Sequence, residues 1–125
     1  MKFINASSAP QTGDAYSQAI ELDGASSLLF VSGQIPVCDE GIVPSSFGDQ
    51  ARLVWRNIEA QLGAAGMGLA DIVKVTTFLS DRRHREENSH IRRQILGKHA
   101  PALTVIICDI YDESWLLEIE VVAAR

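Results

Sequence analysis

Stretches rich in apolar and β-branched residues predict the β-strands of this chain. They cover residues 16–22, 28–35, 72–79, 103–107 and 115–123. Asp23-Gly24 separates the first two stretches and favours a tight turn, so we predict that these strands pair as an antiparallel hairpin. The turn-prone residues 111–114 separate the last two stretches and predict a closing hairpin.

A second pattern, with apolar residues three and four positions apart, predicts a helix between the second and third strands. Its apolar face consists of Ala51, Val54, Trp55, Ile58 and Leu62. Ser46 and Asp49 resemble an N-terminal capping pair, and Gly63 or Gly66 is placed to end the helix.

Another helix is predicted between the third and fourth strands. Asp81 is a candidate cap at its start, and Gly97 lies near its end. Its apolar face is thin and contains Ile91, Ile95 and Leu96, so we expect most of this helix to be exposed to solvent.

The predicted order ββαβαββ indicates an α+β fold in which residues 1–125 form a single domain. Right-handed strand–helix–strand connections place both helices on one face of one sheet. Strands 103–107 and 115–123 have apolar residues at both alternating sets of positions, which is typical of strands buried on both sides. We therefore expect the chain to oligomerise through its sheet, with ligand sites in clefts between subunits.

Composition narrows the classes of function. No run approaches the roughly 20 apolar residues of a membrane span, and the N-terminus lacks the apolar core of a secretion signal. We therefore expect a soluble, cytoplasmic protein with no membrane partner, in which Cys38 and Cys108 are reduced thiols.

A net charge of −5 argues against general nucleic-acid binding. The exception is a cationic cluster on the second helix, which acidic neighbours dilute and which is typical of a solvated helix face. The cluster comprises Arg82, Arg83, Arg85, Arg92, Arg93 and Lys98.

Several motifs together resemble the RidA family, also called the YjgF family. They are AYSQAI, VSGQIP, QARLVWRNIEAQLGAAGMGLADIVKVTTFLSD, Asn88, HAPAL and EIEVVAA, and the resemblance extends from Pro10 to Ala124. It implies a chorismate-mutase-like fold and a homotrimer with three ligand clefts between subunits. It also implies hydrolysis of reactive 2-imino and enamino acids to keto acids and ammonia, without a metal or an organic cofactor.

The same resemblance assigns candidate site residues. Glu118, the first glutamate of EIE, would be the catalytic carboxylate that positions or activates water. The candidate substrate-binding residues, which would line the cleft, are Tyr16, Ser32, Gly33, Asn88, Leu103 and Val105.

One of these positions departs from the family pattern. The deaminases of the family have an arginine two residues after the proline, where this chain has Leu103 in Pro101-Ala102-Leu103. Leucine cannot form the paired charged hydrogen bonds that arginine makes with a carboxylate. We therefore expect inefficient hydrolysis of 2-imino acids.

Each candidate also has a structural interpretation. Glu118 alternates with Glu120 and, on pattern alone, would face solvent. Tyr16 would pack at a strand start, Ser32-Gly33 would form a β-bulge, and Asn88 would be solvated.

Two further groups are predicted to have no catalytic role. His84, Glu87 and His90 recur at spacings of three but lack a tight metal-binding motif, so no metal site is expected. Cys108 is expected to be a structural thiol.

Three functions remain open: a hydrolytic deaminase, a trimer that binds a small metabolite without turnover, and an RNA-linked endoribonuclease or translation inhibitor. The net charge weighs against the third.

Overall fold

Eight regular elements follow one another in the computed structural model, which describes residues 1–125. They are β1 (Lys2–Ile4), β2 (Ala19–Glu21), β3 (Leu28–Gln34), α1 (Phe47–Ala64), β4 (Ile72–Leu79), α2 (Arg85–Leu96), β5 (Ala102–Ile107) and β6 (Leu117–Ala124). Short 3-10 turns precede β4 and α2. No helix combines the length and the apolar composition needed to cross a membrane.

Four strands form the main sheet, in the order β3-β6-β4-β5. Strand β6 is antiparallel to both neighbours, whereas β4 and β5 are parallel and are connected through α2. Helix α1 packs on β3 and β6, and α2 packs beside α1. The predicted α+β fold, with two helices on one face of the sheet, is confirmed.

Helix α1 forms where the apolar spacing predicts it. Its five predicted core residues are each at most 1% exposed. Ser46 caps the first turn by accepting a hydrogen bond from the backbone N–H of Asp49, at 3.2 Å. After the helix, Gly66 adopts a positive φ of 69° and its N–H bonds back to the carbonyl of Gly63, which closes the C-terminal turn.

Helix α2 is less exposed than predicted, since only half of its residues are exposed, and its start also differs. Asp81 caps the 3-10 turn Arg82–His84, because its carboxylate accepts a hydrogen bond from the N–H of Arg83 at 2.8 Å. The α-helix then runs from Arg85 to Leu96, and Gly97 follows it with a φ of 60°.

Both predicted hairpins are wrong. Strand β2 pairs with β1, a short N-terminal strand that the pattern did not predict, and it does not pair with β3. Strand β6 lies between β3 and β4, so it is not the hairpin partner of β5. A turn signal reports only local backbone preference, whereas the pairing partner is decided by which strands bury most apolar surface together.

Strand β5 is not buried on both sides within one chain, and the sequence-based expectation assigns the burial of its second side to an oligomer. It is the edge strand of the sheet, and Val105 and Ile106 are 37% and 42% exposed. On the helix-free face, Leu28 and Phe30 of β3 are 55% and 74% exposed. This chain therefore leaves an apolar sheet face and an apolar edge strand open to solvent.

The loop before β6 is held by a buried glutamine on α1. The Gln50 amide donates to the carbonyls of Pro44 and Ser114 at 2.8 and 2.9 Å, and its oxygen accepts from the N–H of Leu116 at 2.8 Å. Gln50 is 1% exposed, so its own amide group has little access to water as an alternative partner.

We expect Gln50→Leu to lower the free energy of unfolding by about 3 kcal/mol, because it removes three hydrogen bonds at about 1 kcal/mol each. The matched control is Gln61→Leu, which makes the same change at an exposed position of α1 and should change stability by less than about 0.5 kcal/mol. Urea unfolding followed by circular dichroism measures both. Equal stability of the two variants would contradict this account of Gln50.

Candidate functional site

The candidate residues of β3 and β6 meet on the helix-free face of the sheet. Val31 pairs with Val121 and Gln34 with Ile119, so Ser32 and Gly33 together occupy the space opposite one residue of β6. This is a β-bulge, as the sequence pattern suggested.

The bulge brings the backbone of Gly33 against the side chain of Glu118. A Cβ atom on Gly33 would lie 2.8 Å from the Glu118 carboxyl carbon and would collide with one carboxylate oxygen. Only glycine leaves room for the carboxylate in this position. We name Ser32, Gly33 and Glu118 the sheet-face group.

Glu118 is partly desolvated and forms no ion pair, since the one salt bridge of the structure joins Lys2 and Glu21. Its pKa is raised, first by burial and second by the like charge of Glu120. In the sheet register Glu118 lies beside Phe78 of β4, which contributes to its apolar surroundings. A carboxylate with a raised pKa is suited to proton transfer near neutral pH.

The remaining candidates lie on β5, beside its start, or on α2. Ser17, directly after Tyr16, is 3% exposed and is tied to the start of this strand. Its hydroxyl donates to the carbonyl of Ala100 at 2.6 Å, and its N–H donates to the carbonyl of Pro101 at 3.1 Å. Ser17 also forms a parallel bridge with Ala102. Tyr16 is therefore held beside the segment that leads to Leu103.

Leu103 and Val105 lie on the helix side of β5, because they pair with Val75 and Thr77, whose side chains are buried beneath the helices. Leu103 packs against the edge of the hydrophobic core. Asn88 of α2 is only 3% exposed, so the interpretation of Asn88 as a solvated residue is wrong. We name Tyr16, Asn88, Leu103 and Val105 the strand-edge group.

One chain does not bring the two groups together. Glu118 lies on β6, whereas Leu103 lies on β5, and β4 separates these strands. Two strand spacings amount to about 10 Å, and the two side chains also point to opposite faces of the sheet. Each chain therefore carries two separate halves of the predicted cleft.

The sequence analysis missed a polar residue next to the strand-edge group. Arg92 follows Asn88 by one helical turn and is 5% exposed, although the cationic cluster was interpreted as a solvated face. Its one hydrogen bond within the chain is from Nη2 to the Ser89 hydroxyl at 3.3 Å, and its Nε has no partner. An arginine within a charged run has no sequence signal for burial, so only the packing of α2 reveals it.

The environment of Arg92 is unusual for a cation. Burial is the main cause that lowers its pKa, and the positive charge of Arg93 adds to this effect. The charge of Tyr16 acts in the opposite direction and raises the pKa of Arg92. The other members of the cationic cluster are exposed.

A surface cavity of about 600 Å³ opens beside Tyr16. Its lining includes Ser17, Arg93, Lys98 and Ala100, so cations predominate at its rim. Asp14 also reaches it. The side of the chain that carries the strand-edge group is therefore locally basic despite the negative total charge.

The other candidates have structural surroundings. His84 stacks on Phe47, with ring centroids 4.5 Å apart and an interplanar angle of 6°. No group of three or more His, Cys, Asp or Glu side chains is arranged to hold a metal ion. Cys38 and Cys108 are free, partly buried thiols.

Comparison with known proteins gives the following similarities. A family model described as Endoribonuclease L-PSP matches residues 6–125. The chain is 34% identical over 128 residues to the Escherichia coli protein named "Putative reactive intermediate deaminase TdcF", covering 99% of this chain and 97% of that protein. It is 35% identical to a RutC family protein of Pyrococcus horikoshii, covering 94% of this chain and 92% of the relative.

Solved structures agree with the observed fold. The crystal structure of E. coli TdcF with bound serine matches with a TM-score of 0.75, covering 100% of this chain and 99% of that chain. A Rid family protein from Yersinia pestis matches with a TM-score of 0.86 at 21% identity, over 99% and 98% of the two chains, which supports the fold alone. Because the family model spans nearly the whole sequence, the chain belongs to the RidA family, which that model describes as Endoribonuclease L-PSP.

Proposed function

We propose that this protein is a cofactor-free hydrolytic deaminase of a small reactive imine or enamine. Its sites would form between subunits of a homotrimer. The observation that carries the proposal is the unpaired Glu118 carboxylate, which is seated against Gly33 and has a raised pKa. A relative that is 34% identical is named as a reactive intermediate deaminase, which supports the same reaction class.

The proposed site combines the sheet-face group of one subunit with the strand-edge group of its neighbour. The separation of the two groups within one chain supports this arrangement, because neither group alone surrounds a ligand. The exposed apolar residues Leu28, Phe30 and Ile106 supply surface that association would bury. Tyr16 and Asn88 would then provide polar walls opposite Glu118.

The proposed reaction needs one water molecule and no redox step. The Glu118 carboxylate accepts a proton as the water oxygen attacks the imine carbon, and the electrons of the C=N bond move to nitrogen, which takes this proton from Glu118. The product is a carbon that carries both a hydroxyl and an amino group. Glu118 then accepts the hydroxyl proton and passes it to the amino nitrogen, so that the C–N bond breaks, ammonia leaves, and a carbonyl forms.

The range of substrates follows from the strand-edge group. TdcF has been solved with bound serine, so a small polar metabolite is the ligand class we propose. Leu103 presents an apolar surface where the family pattern has arginine, and an α-carboxylate placed there would lose water without gaining a partner. We therefore propose that imines with an α-carboxylate are poor substrates.

We expect Phe30→Asp to convert the oligomer to monomers, because it places a charge in the apolar sheet face. Size-exclusion chromatography with light scattering gives the mass of each species. Tyr111→Asp is the matched control, since Tyr111 is 94% exposed and lies in the loop before β6. A trimer that persists in Phe30→Asp, or a wild-type monomer, would contradict assembly through this face.

We expect Glu118→Gln to lower the rate of imine hydrolysis by at least about 100-fold, since the amide cannot accept the proton of water. The assay measures ammonia and carbonyl product above the spontaneous rate, with imines generated in place. Glu120→Gln is the control on the same strand and face, and it should remain active.

The pH profile separates these two variants further. Activity of the wild type should fall as pH decreases through the raised pKa of Glu118, because the protonated carboxyl group cannot accept a proton. Glu120→Gln removes the like charge that helps to raise this pKa, so its acidic limb should move to lower pH. Ligand binding without turnover in wild type and Glu118→Gln alike would identify a non-catalytic binder.

We expect Leu103→Arg to increase hydrolysis of 2-iminopropionate. A buried charged pair of this kind is worth on the order of 2 to 5 kcal/mol, so a gain of at least about 30-fold is expected. The double variant Leu103→Arg with Glu118→Ala should lose this gain. A wild type that is already as fast as Leu103→Arg would show that Leu103 does not limit α-carboxylate recognition.

A further inference from the structure

Arg92 is a buried cation whose one hydrogen bond within the chain is from Nη2 to the Ser89 hydroxyl. It is 5% exposed, it forms no ion pair, and its Nε lacks a hydrogen-bond partner. Burying an unpaired guanidinium costs stability, since the charge loses water without an anion to replace it. A group retained in this condition is suited to a partner that arrives from outside the chain.

The neighbours of Arg92 indicate where that partner would bind. Asn88 lies one turn before it on α2 and is 3% exposed, so both polar side chains lie on the buried face of a thin amphipathic helix. Ser17 anchors Tyr16 to the start of β5. Arg92 is linked to the strand-edge group through Asn88, with which it shares the buried face of α2.

We propose that Arg92 is the anion-binding residue of the site and selects ligands whose anionic group lies away from the reacting carbon. The inference rests on the proposed site but names a different recognition residue and a different ligand geometry. An arginine at position 103 would extend from β5, whereas Arg92 extends from α2. Because the two side chains start from different elements, the anion that Arg92 binds lies at a different place relative to Glu118.

The exposed cations of the same region are weaker candidates for binding the anionic group of the ligand. Arg93 lines the open cavity beside Tyr16 and is exposed, so its guanidinium stays hydrated and solvent screens its charge. Arg92 is desolvated, and a hydrogen bond from a desolvated guanidinium to a carboxylate is stronger and more specific in geometry. The two adjacent arginines therefore allow a direct comparison.

The first experiment measures binding, without turnover, of three carbonyl probes by isothermal titration calorimetry. Pyruvate carries its carboxylate next to the carbonyl carbon, levulinate carries it two carbons farther away, and levulinamide is the neutral analogue of levulinate. For the wild-type oligomer we expect levulinate to bind at least about tenfold more tightly than either pyruvate or levulinamide. Equal affinities for levulinate and levulinamide would overturn the proposal.

Variants of individual arginines then identify which side chain binds the carboxylate of levulinate. Arg92→Met should abolish the preference for levulinate over levulinamide, and Arg92→Lys should keep part of it. Arg85→Met is the control, because Arg85 is an exposed arginine of the same helix. Loss of the preference in Arg93→Met, with retention in Arg92→Met, would overturn the assignment.

A stability measurement distinguishes binding from a structural role. We expect the melting temperature of Arg92→Met, without ligand, to equal or exceed that of the wild type, since an unpaired buried charge is removed. A lower melting temperature with unchanged charge preference would make Arg92 a structural residue and overturn the proposal. These measurements need no turnover. The Arg92 proposal can therefore be refuted while the proposal of Glu118-dependent hydrolysis is supported, and the reverse is also possible.

Discussion

The burial of β6 in the middle of the sheet is the constraint on which the rest of the structure depends. Its helix-facing residues Leu117, Ile119, Val121 and Ala123 are each at most 2% exposed and join the two helices to the sheet. Since side chains alternate along a strand, the intervening positions must lie on the helix-free face. Core packing on one side of β6 therefore fixes the orientation of Glu118 on the other.

The helix-free face combines apolar surface with a carboxylate. Phe30 is largely exposed, while Glu118 is partly desolvated by its neighbours and by the close approach of Gly33. Such a face is unfavourable for an isolated chain in water. Association would bury the apolar residues and would also leave the carboxylate at the boundary between subunits, so the proposed assembly and the proposed chemistry use the same surface.

Two ionisable groups of opposite charge have no charged partner within the chain. Glu118 has a raised pKa on the helix-free face of the sheet, and Arg92 has a lowered pKa on the buried face of α2. In both cases burial is the first cause, so each group is less stable in its charged form than it would be in water. Unpaired ionisable groups at a predicted cleft are typical of functional sites, where ligand contacts replace the missing ones.

Much of this architecture was predictable from local pattern. The apolar spacing of α1 and the β-branched run of β4 identify these elements, and Ser46 marks the start of α1. These signals depend on residues close together in the chain. The two hairpins were predicted wrongly because strand pairing is a choice among distant partners, and the Asp23-Gly24 turn carries no information about that choice.

The sequence by itself determined every regular element except β1, the bulge at Ser32-Gly33 and, through its motifs, the family and the identity of the candidate carboxylate. Only the tertiary structure decided that β6 is central, that β5 is an exposed edge, and that the candidate residues divide into two groups. It alone showed that Arg92 is buried. The physical reason is that burial and charge pairing depend on which distant segments pack together. A local sequence pattern contains no information about contacts between distant segments.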